Sequence, residues 1–329
     1  MNGNIVKELN LNKVRGILQK HGIATKPQLA EATSLSVVTI NSLVKELLAR
    51  GEVYEDKTVP SNGGRPALTY RFNYNYSLAL VLLFNENHWK DEVVASIVNL
   101  NGDTLKREEH QIPVFDLHHF EQIIAELINA YPAVKMIGIG IPGQVVNGEI
   151  TVSSHETLKG IRMADSIQET FGLPVLIEND VNAAVSGYFA SEDKGQSDCV
   201  IGIYFPDKYP PGVGIHLNGS VVKGRNGMAG EIKFLPMDVD WTGHWNPTEF
   251  IKVTCHVIQT LNAVLAPDKI VFYQNVVSDE EWISSWNTYQ NEHEMASVPQ
   301  VILSRSFSKD FHEGIQALAL EELNPPIIK

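Results

Sequence analysis

Five apolar residues near the N-terminus constrain the fold more tightly than anything else in the chain. Ile40, Leu43, Val44, Leu47 and Leu48 recur at i, i+3, i+4, i+7 and i+8, which puts all of them on one side of a helix. Ser36 stands where a hydroxyl caps the first turn, and Gly51 where a glycine closes the last. A single stripe of this kind must be buried against neighbouring elements, and the preceding residues supply them. Ile5 to Lys20 reads as a first helix, with Leu9, Ile17 and Leu18 among its apolar positions, and Gly22 stops it. Thr25-Lys-Pro-Gln28 has the form of a capping box with proline early in the helix, and Leu29 and Ala30 belong to the short helix it opens. Ser34-Leu-Ser36 is the turn into the striped helix.

Two short helices joined by a tight turn make a helix-turn-helix, whose last helix enters the major groove of DNA by its N-terminal part. The outward positions Val38, Thr39, Asn41, Ser42 and Lys45 are short, polar or charged and suit that approach, and Lys26 lies at the start of the helix before. Any helix with one buried stripe also has a polar side, so this pattern leaves an ordinary surface helix open. Residues 52–72 tip the balance toward DNA. Glu52-Val-Tyr54 and Leu68 to Phe72 are strand-like and are joined by Pro60-Ser-Asn-Gly-Gly-Arg-Pro66, a wing whose Gly64 permits close approach and whose Arg65 suits a narrow minor groove. Residues 1–72 hold ten Lys or Arg against six Asp or Glu, a balance of +4, which leaves −17 on the remainder of a chain whose net charge is −13. Nucleic acid is drawn to one end of such a molecule and repelled by the other.

No apolar run approaches the roughly 20 residues that span a bilayer, the N-terminus lacks the basic and apolar parts of a signal peptide, and Cys199 and Cys255 do not make a disulfide framework. These point to the cytoplasm.

Beyond Asn73 the pattern is α/β. Leu78 to Phe84 is a continuous apolar run, Val93 to Leu100 a second strand, and Asn101-Gly102 a turn before a third; a helix around Phe115 to Ala130 and a strand from Val134 to Ile141 come next. Val175-Leu-Ile is a buried strand ending in Glu178-Asn179-Asp180, and ligands of α/β proteins gather at such strand ends. An amide beside a carboxylate offers donors and acceptors to a polyol, but Asn179 and Asp180 also stand where they cap the next helix, and both roles are open. Pro247 to Val264 reads as a long helix with Phe250, Ile251, Ile258, Leu261 and Val264 on its apolar side, Phe311 to Leu323 as a terminal helix, and the acidic, tryptophan-bearing Asp279 to Ser297 as a surface segment.

Over nearly its whole length the chain resembles the ROK family of repressors and sugar kinases. The likeness is carried by Gly-Gly-Arg-Pro at 63–66, Gly138-Ile-Gly-Ile-Pro-Gly143, Leu173 to Ala184, Gly212 to Gly219, and Gly224-Arg-Asn-Gly-Met-Ala-Gly-Glu231, in this order. The resemblance implies a winged helix-turn-helix over 1–73, then a two-lobed actin-like, sugar-kinase-like fold: the first lobe over 74–186, the second over 187–329 with the C-terminal helix closing it. It also implies a sugar pocket of Gly143, Gln144, Ser153, Ser154, Asn179, Asp180 and Glu231, in which the residue matching Asp180 is the general base of the kinases.

The departures from that pattern separate regulator from kinase. ROK kinases carry Asp-x-Gly-x-Thr after the first strand; this chain has Leu82-Leu-Phe-Asn-Glu-Asn-His-Trp89, with no glycine nest for phosphate. Lys269-Ile-Val-Phe-Tyr-Gln274 puts bulky side chains where the family has a Gly-Gly pair beside the nucleotide. The family's zinc histidine is replaced by Phe234, and no cysteine lies between 235 and 254; Trp241 and Trp245 are expected to fill that space, and the adjacent Cys255 and His256 diverge on a helix. The expectation is a protein that is not an enzyme and takes no cofactor or metal. It is a repressor of carbohydrate-metabolism genes, binding double-stranded operator DNA as a homodimer or dimer of dimers and answering to a sugar or sugar phosphate. The competing reading is a regulator of the same build that has lost its small-molecule response.

Overall fold

The computed structural model describes residues 3–61, 64–87, 90–112, 114–153, 156–193, 196–241 and 245–323. Its N-terminal elements arise from their local signals: α1 (Gly3–His21), β1 (Ile23–Thr25), α2 (Lys26–Thr33), α3 (Val37–Ala49), β2 (Val53–Ser61) and β3 (Gly64–Phe72). The capping box forms as its spacing requires, with Thr25 Oγ1 accepting from the Gln28 amide at 3.4 Å and Gln28 Oε1 accepting from the Thr25 amide at 2.8 Å. Ser36 Oγ accepts from the Thr39 amide at 3.1 Å and opens α3. Ile40, Leu43, Val44 and Leu47 are buried against Leu29 of α2 and against Leu11, Val14 and Leu18 of α1. Leu9 is instead 43% exposed; α1 turns the 11–14–18 stripe inward, and Leu9 falls outside it.

The wing is longer than its turn residues suggest, because β2 and β3 run to Ser61 and from Gly64 and take Pro60 and Pro66 into the strands. The register breaks between Val59 and Ser61, and a bulge on an edge strand is where proline is tolerated. Glu52 is not in a strand but buried beneath it, and Arg15 reaches across from α1 to meet it at 2.5 and 2.9 Å.

The next elements are β4 (Leu78–Asn87), β5 (Lys90–Asn99), β6 (Thr104–Gln111), α4 (Leu117–Ala130), β7 (Val134–Ile141), β8 (Gly143–Val146), β9 (Glu149–Ser153), α5 (Met163–Phe171), β10 (Val175–Asn179) and α6 (Asp180–Tyr188). They build a five-stranded sheet of order β10-β7-β4-β5-β6, in which β10, β7 and β4 are parallel and β5 and β6 antiparallel. A second five-stranded sheet, β13-β12-β11-β14-β15, is made by β11 (Cys199–Tyr204), β12 (Gly212–Leu217), β13 (Ser220–Val221), α7 (Pro247–Leu265), β14 (Lys269–Tyr273), α8 (Asp279–Glu292), β15 (Gln300–Ser304) and finally α9 (Phe307–Leu323). The chain thus has a winged helix followed by two α/β lobes. The helix α6 runs through position 186 from one lobe toward the other, and α9, last in sequence, shares a core with β4, β7 and α6. Two glycines let α6 and α9 touch backbone to backbone: a Cβ on Gly187 would collide with the Asp310 carbonyl oxygen, and one on Gly314 with that of Ala183.

Two helices differ from their sequence pattern. In α8 only Trp282 and Trp286 are buried, one turn apart on an otherwise polar helix, and Trp282 Nε1 donates to Thr254 Oγ1 of α7 at 3.0 Å. The 279–297 segment is therefore part of the second lobe's core rather than a surface segment; its polarity conceals a contact made by just two large side chains. In α7 the buried row is Phe250, Val253, Val257 and Ile258, which leaves Val264 at 76% exposure.

Candidate functional site

The C-terminal ends of β7 and β10 open into a cavity of about 400 Å³ that the second lobe covers from the other side. On the first-lobe wall stand Gly143, Gln144, Ser153, Asn179 and Asp180; on the second, Gly212, Gly230 and Glu231. The structure therefore brings the expected pocket together across the lobes, apart from Ser154, which lies outside the described residues.

Asn179 serves both purposes that its sequence position allows. Its Oδ1 accepts from the amides of Val181 and Asn182 at 3.1 and 3.0 Å, which caps α6, while its Nδ2 donates to the Gly143 carbonyl at 3.2 Å and ties the two strand ends together. Ser153 Oγ donates to the Pro142 carbonyl at 3.1 Å, and Gln144 is buried. Asp180 Oδ1 accepts from the Val181 amide at 2.9 Å. Its carboxyl keeps some surface toward the cavity but is otherwise enclosed by protein, and burial, with Glu231 adding repulsion, pushes it up to about 7. The helix start and the amide bond oppose this shift and lose to desolvation. Glu231 is held by Lys233 at 3.2 Å. Asp180 and Glu231 thus avoid an uncompensated charge pair by different means.

Several cavity residues were not legible as site residues: Glu156 and Lys159, paired at 2.6 Å, and Lys208, Tyr209, Lys233, Tyr204 and Phe307. All but Tyr204 and Phe307 lie on loops or single 3-10 turns whose path depends on what they pack against. The Tyr204 and Phe307 rings stack at 3.5 Å between centroids, 9° from parallel, and Tyr273 meets Phe307 edge-on at 5.3 Å. Behind them Tyr273 donates to Asp310 at 2.7 Å, and burial pushes the Asp310 carboxyl up to about 6. At the end of β4, where ROK kinases have their phosphate loop, Phe84 packs on Phe115 and Phe120 at 5.4 and 5.2 Å, and Asn85 donates to Ser308 Oγ at 3.4 Å.

Trp241 and Trp245 do fill the space beside β11, with Trp245 against Phe205 and Phe250 at 5.8 and 5.7 Å. Phe234 points outward, 76% exposed. Cys255 is buried, its thiol pushed up to about 12, and among the described residues no group of three His, Cys, Asp or Glu side chains converges as metal ligands would. Among the described residues no helix is long and apolar enough to cross a membrane.

On α3, Val38 is 79% exposed and Asn41, Ser42 and Lys45 are exposed beside it. Thr39 is half-buried, its hydroxyl 2.9 Å from Ser36 Oγ, and Lys26 lies over the Tyr70 ring at 5.2 Å. Gly64 opens β3; the side chain of Arg65 lies outside the described residues.

The chain is thus a winged helix joined to a two-lobed α/β fold with a polar cavity between the lobes. Residues 90–256 match the ROK family, just over half of the chain, and the chain belongs to that family. It is 24% identical to the xylose repressor of Bacillus spizizenii, over 83% of this chain and 72% of that one. It is 23% identical to the DNA-binding transcriptional dual regulator NagC of Escherichia coli K12, over 72% of this chain but only 59% of the relative's length. Among solved structures, a ROK family transcriptional regulator homologous to the E. coli MLC protein superposes with a TM-score of 0.61 at 18% identity, covering 96% of this chain and 99% of that one. The ROK hexokinase of Thermus thermophilus superposes with a TM-score of 0.58 at 15% identity over 76% of this chain and 100% of the hexokinase. The regulator thus matches this chain through the winged helix, whereas the kinase matches about three quarters of it.

Proposed function

We propose that this chain is a DNA-binding repressor whose grip on its operator is set by a small polyol in the interlobe cavity, and that it does not phosphorylate that ligand. The DNA face is α3, with Val38, Asn41, Ser42 and Lys45 toward the major groove, Thr39 and Lys26 at the margin, and Gly64 and Arg65 of the wing in the minor groove. A homodimer would present two such faces to an inverted repeat.

The observation that carries this reading is the path of α9. Its first residue, Phe307, lines the cavity; its last turns place Leu320 and Leu323 against the hydrophobic core of the winged helix. Seventeen residues of helix span about 25 Å between those ends. Midway, the Gly187 and Gly314 contacts fasten α9 to α6, whose first residue is Asp180. Gln316 also donates to the Gly102 carbonyl at 3.0 Å, in the β5–β6 turn, and the adjoining Leu100 is buried in the winged-helix core. A ligand that draws the lobes together on Asp180 and Glu231 moves a unit to which the DNA-reading domain is docked. In a dimer this changes the fit to half-sites of fixed spacing. The aromatic stack of Tyr204 and Phe307 and the Phe84 cluster support the absence of phosphoryl transfer, since bulky rings stand where a nucleotide phosphate needs open backbone amides.

The test begins with duplex DNA selected in vitro from a random pool by the full chain. Binding to that DNA should weaken when the right sugar is added, and no sugar should become labelled from radioactive ATP. A chain that selects no sequence, or that transfers phosphate, is not this kind of protein.

A further inference from the structure

The first turn of α3 leaves its apolar side chains uncovered. Val38 is 79% exposed, more than any other large apolar side chain among the described residues, and Val37 beside it is 50% exposed. Neither joins the core made by Ile40, Leu43, Val44 and Leu47. Valine gains little there, being a middling helix former, and an exposed first turn is ordinarily steadied by carboxylates at the positive end of the helix. In the lobes α5, α7 and α8 carry acidic residues in that place, Asp165, Glu249 and Asp279-Glu280-Glu281. The three helices of the winged helix carry none. Glu46 is the one carboxylate within α3, and Lys7 and Arg50 hold it at 2.7 and 2.5 Å. The outer face of α3 is therefore apolar at its start and without unpaired acid along its length, as the approach of a polyanion requires.

The neighbours of Val38 decide what it meets. Ser36 and Thr39 are spent on each other: Ser36 Oγ accepts from the Thr39 amide at 3.1 Å and lies 2.9 Å from the Thr39 hydroxyl. Asn41 follows Val38 at i+3 on the same face, with about 5–6 Å between Cβ atoms, and Ser42 and Lys45 continue that face, all three exposed. In the major groove only thymine presents a methyl group, and an asparagine amide makes a two-bond pair with N6 and N7 of adenine. No arginine stands within α3, so the commonest reader of guanine is missing from this helix. We propose that Val38 reads the C5-methyl group of a thymine in each half-site, and that Asn41 reads an adenine within about two base pairs of it, a reach set by the side-chain spacing against the rise of the duplex. Lys45, further from the end that enters the groove, meets a phosphate. This rests on α3 being the DNA-reading helix, and it gives that helix a preference for T·A over G·C pairs.

The test uses the full chain and a duplex that it selects in vitro from a random pool. Thymines of the half-site are replaced one at a time by uracil, which removes only the methyl group, and adenines by 7-deazaadenine, which removes only the N7 acceptor. At one thymine position the loss of the methyl should weaken binding about three- to tenfold, the scale of burying one methyl group at each half-site. Val38→Ala should bind the thymine and uracil duplexes alike, with a melting temperature close to the parent's because so little of the side chain is packed. Asn41→Ala should lose the response to 7-deazaadenine at one nearby position and keep the response to uracil. If the parent tolerates uracil everywhere, or Val38→Ala still prefers thymine at the same position, the assignment of Val38 is overturned and DNA binding stands. A selected half-site without a T·A pair has the same consequence, and an unchanged response to 7-deazaadenine in Asn41→Ala overturns the adenine contact. A chain that selects no sequence overturns the DNA-binding reading, and this assignment with it.

Discussion

The two walls of the cavity are built on different principles. The first-lobe wall is regular structure: parallel β7 and β10 end side by side, Asn179 links them and caps α6, and α6 is clamped to α9 by glycine contacts that admit no side chain. The second-lobe wall is made largely of connections, the residues after β11 and those between β13 and α7, beside the start of β12 and the packing of Trp241 and Trp245. On the first wall Ser153, Asn179 and Asp180 each hold a backbone group as well as facing the cavity, so none of the three can change without disturbing the framework. On the second, Phe234 occupies the position where the family resemblance implies a histidine, and the lobe keeps its core. A site can thus be half constrained by architecture and half free to acquire new chemistry.

The largest effect should come from breaking the clamp behind the first wall. Gly314→Val drives a branched side chain into the Ala183 carbonyl and should cost about 3 kcal/mol or more of unfolding free energy, read as a fall in the urea midpoint. A variant as stable as the parent would mean that α6 and α9 are not locked together.

Asp180→Asn probes the wall's buried carboxyl. Because the folded pKa is raised to about 7 from an ordinary value of 3.8, the folded state holds its proton more tightly than the unfolded state. The parent should therefore lose stability relative to the variant as pH rises from about 4 to about 7, and no further above that. Melting temperatures of the two proteins that differ by the same amount at pH 4.5 and pH 8 would rule this out.

Next in size is the coupling itself. Leu320→Ala with Leu323→Ala should leave sugar affinity and operator affinity each close to normal when measured alone. The interaction between them should shrink by about 1–2 kcal/mol. Operator titrations with and without saturating sugar measure it, and an unchanged ratio would remove α9 from the route. Arg65→Ala should weaken operator binding by about 1 kcal/mol per half-site and flatten any preference for A·T pairs at the flank; unaltered selectivity would mean that the wing reads nothing. The smallest change belongs to the second wall: Phe234→Ala, at an exposed ring, should alter stability by less than about 0.5 kcal/mol.

Much of this molecule was written locally. The α3 stripe, the Thr25–Gln28 box, the Ser36 cap and the apolar runs of β4 and β7 each arise from spacing that a short segment satisfies by itself, and the Glu178-Asn179-Asp180 strand end announced the first wall. Leu9 and Val264 were misplaced because a helix's phase is decided by its partner, and an apolar residue just off the buried arc looks the same in sequence as one within it. Trp282 and Trp286 were hidden in a polar segment because two large rings, one turn apart, suffice to anchor a helix. Tertiary structure alone brought Lys159, Lys208 and Lys233, far apart along the chain, around one cavity, and laid the last helix between that cavity and the winged helix. Local pattern specifies which faces are apolar and where turns begin; which distant faces meet depends on sheet order and close backbone approach, and here the glycines at 187 and 314 made that meeting possible.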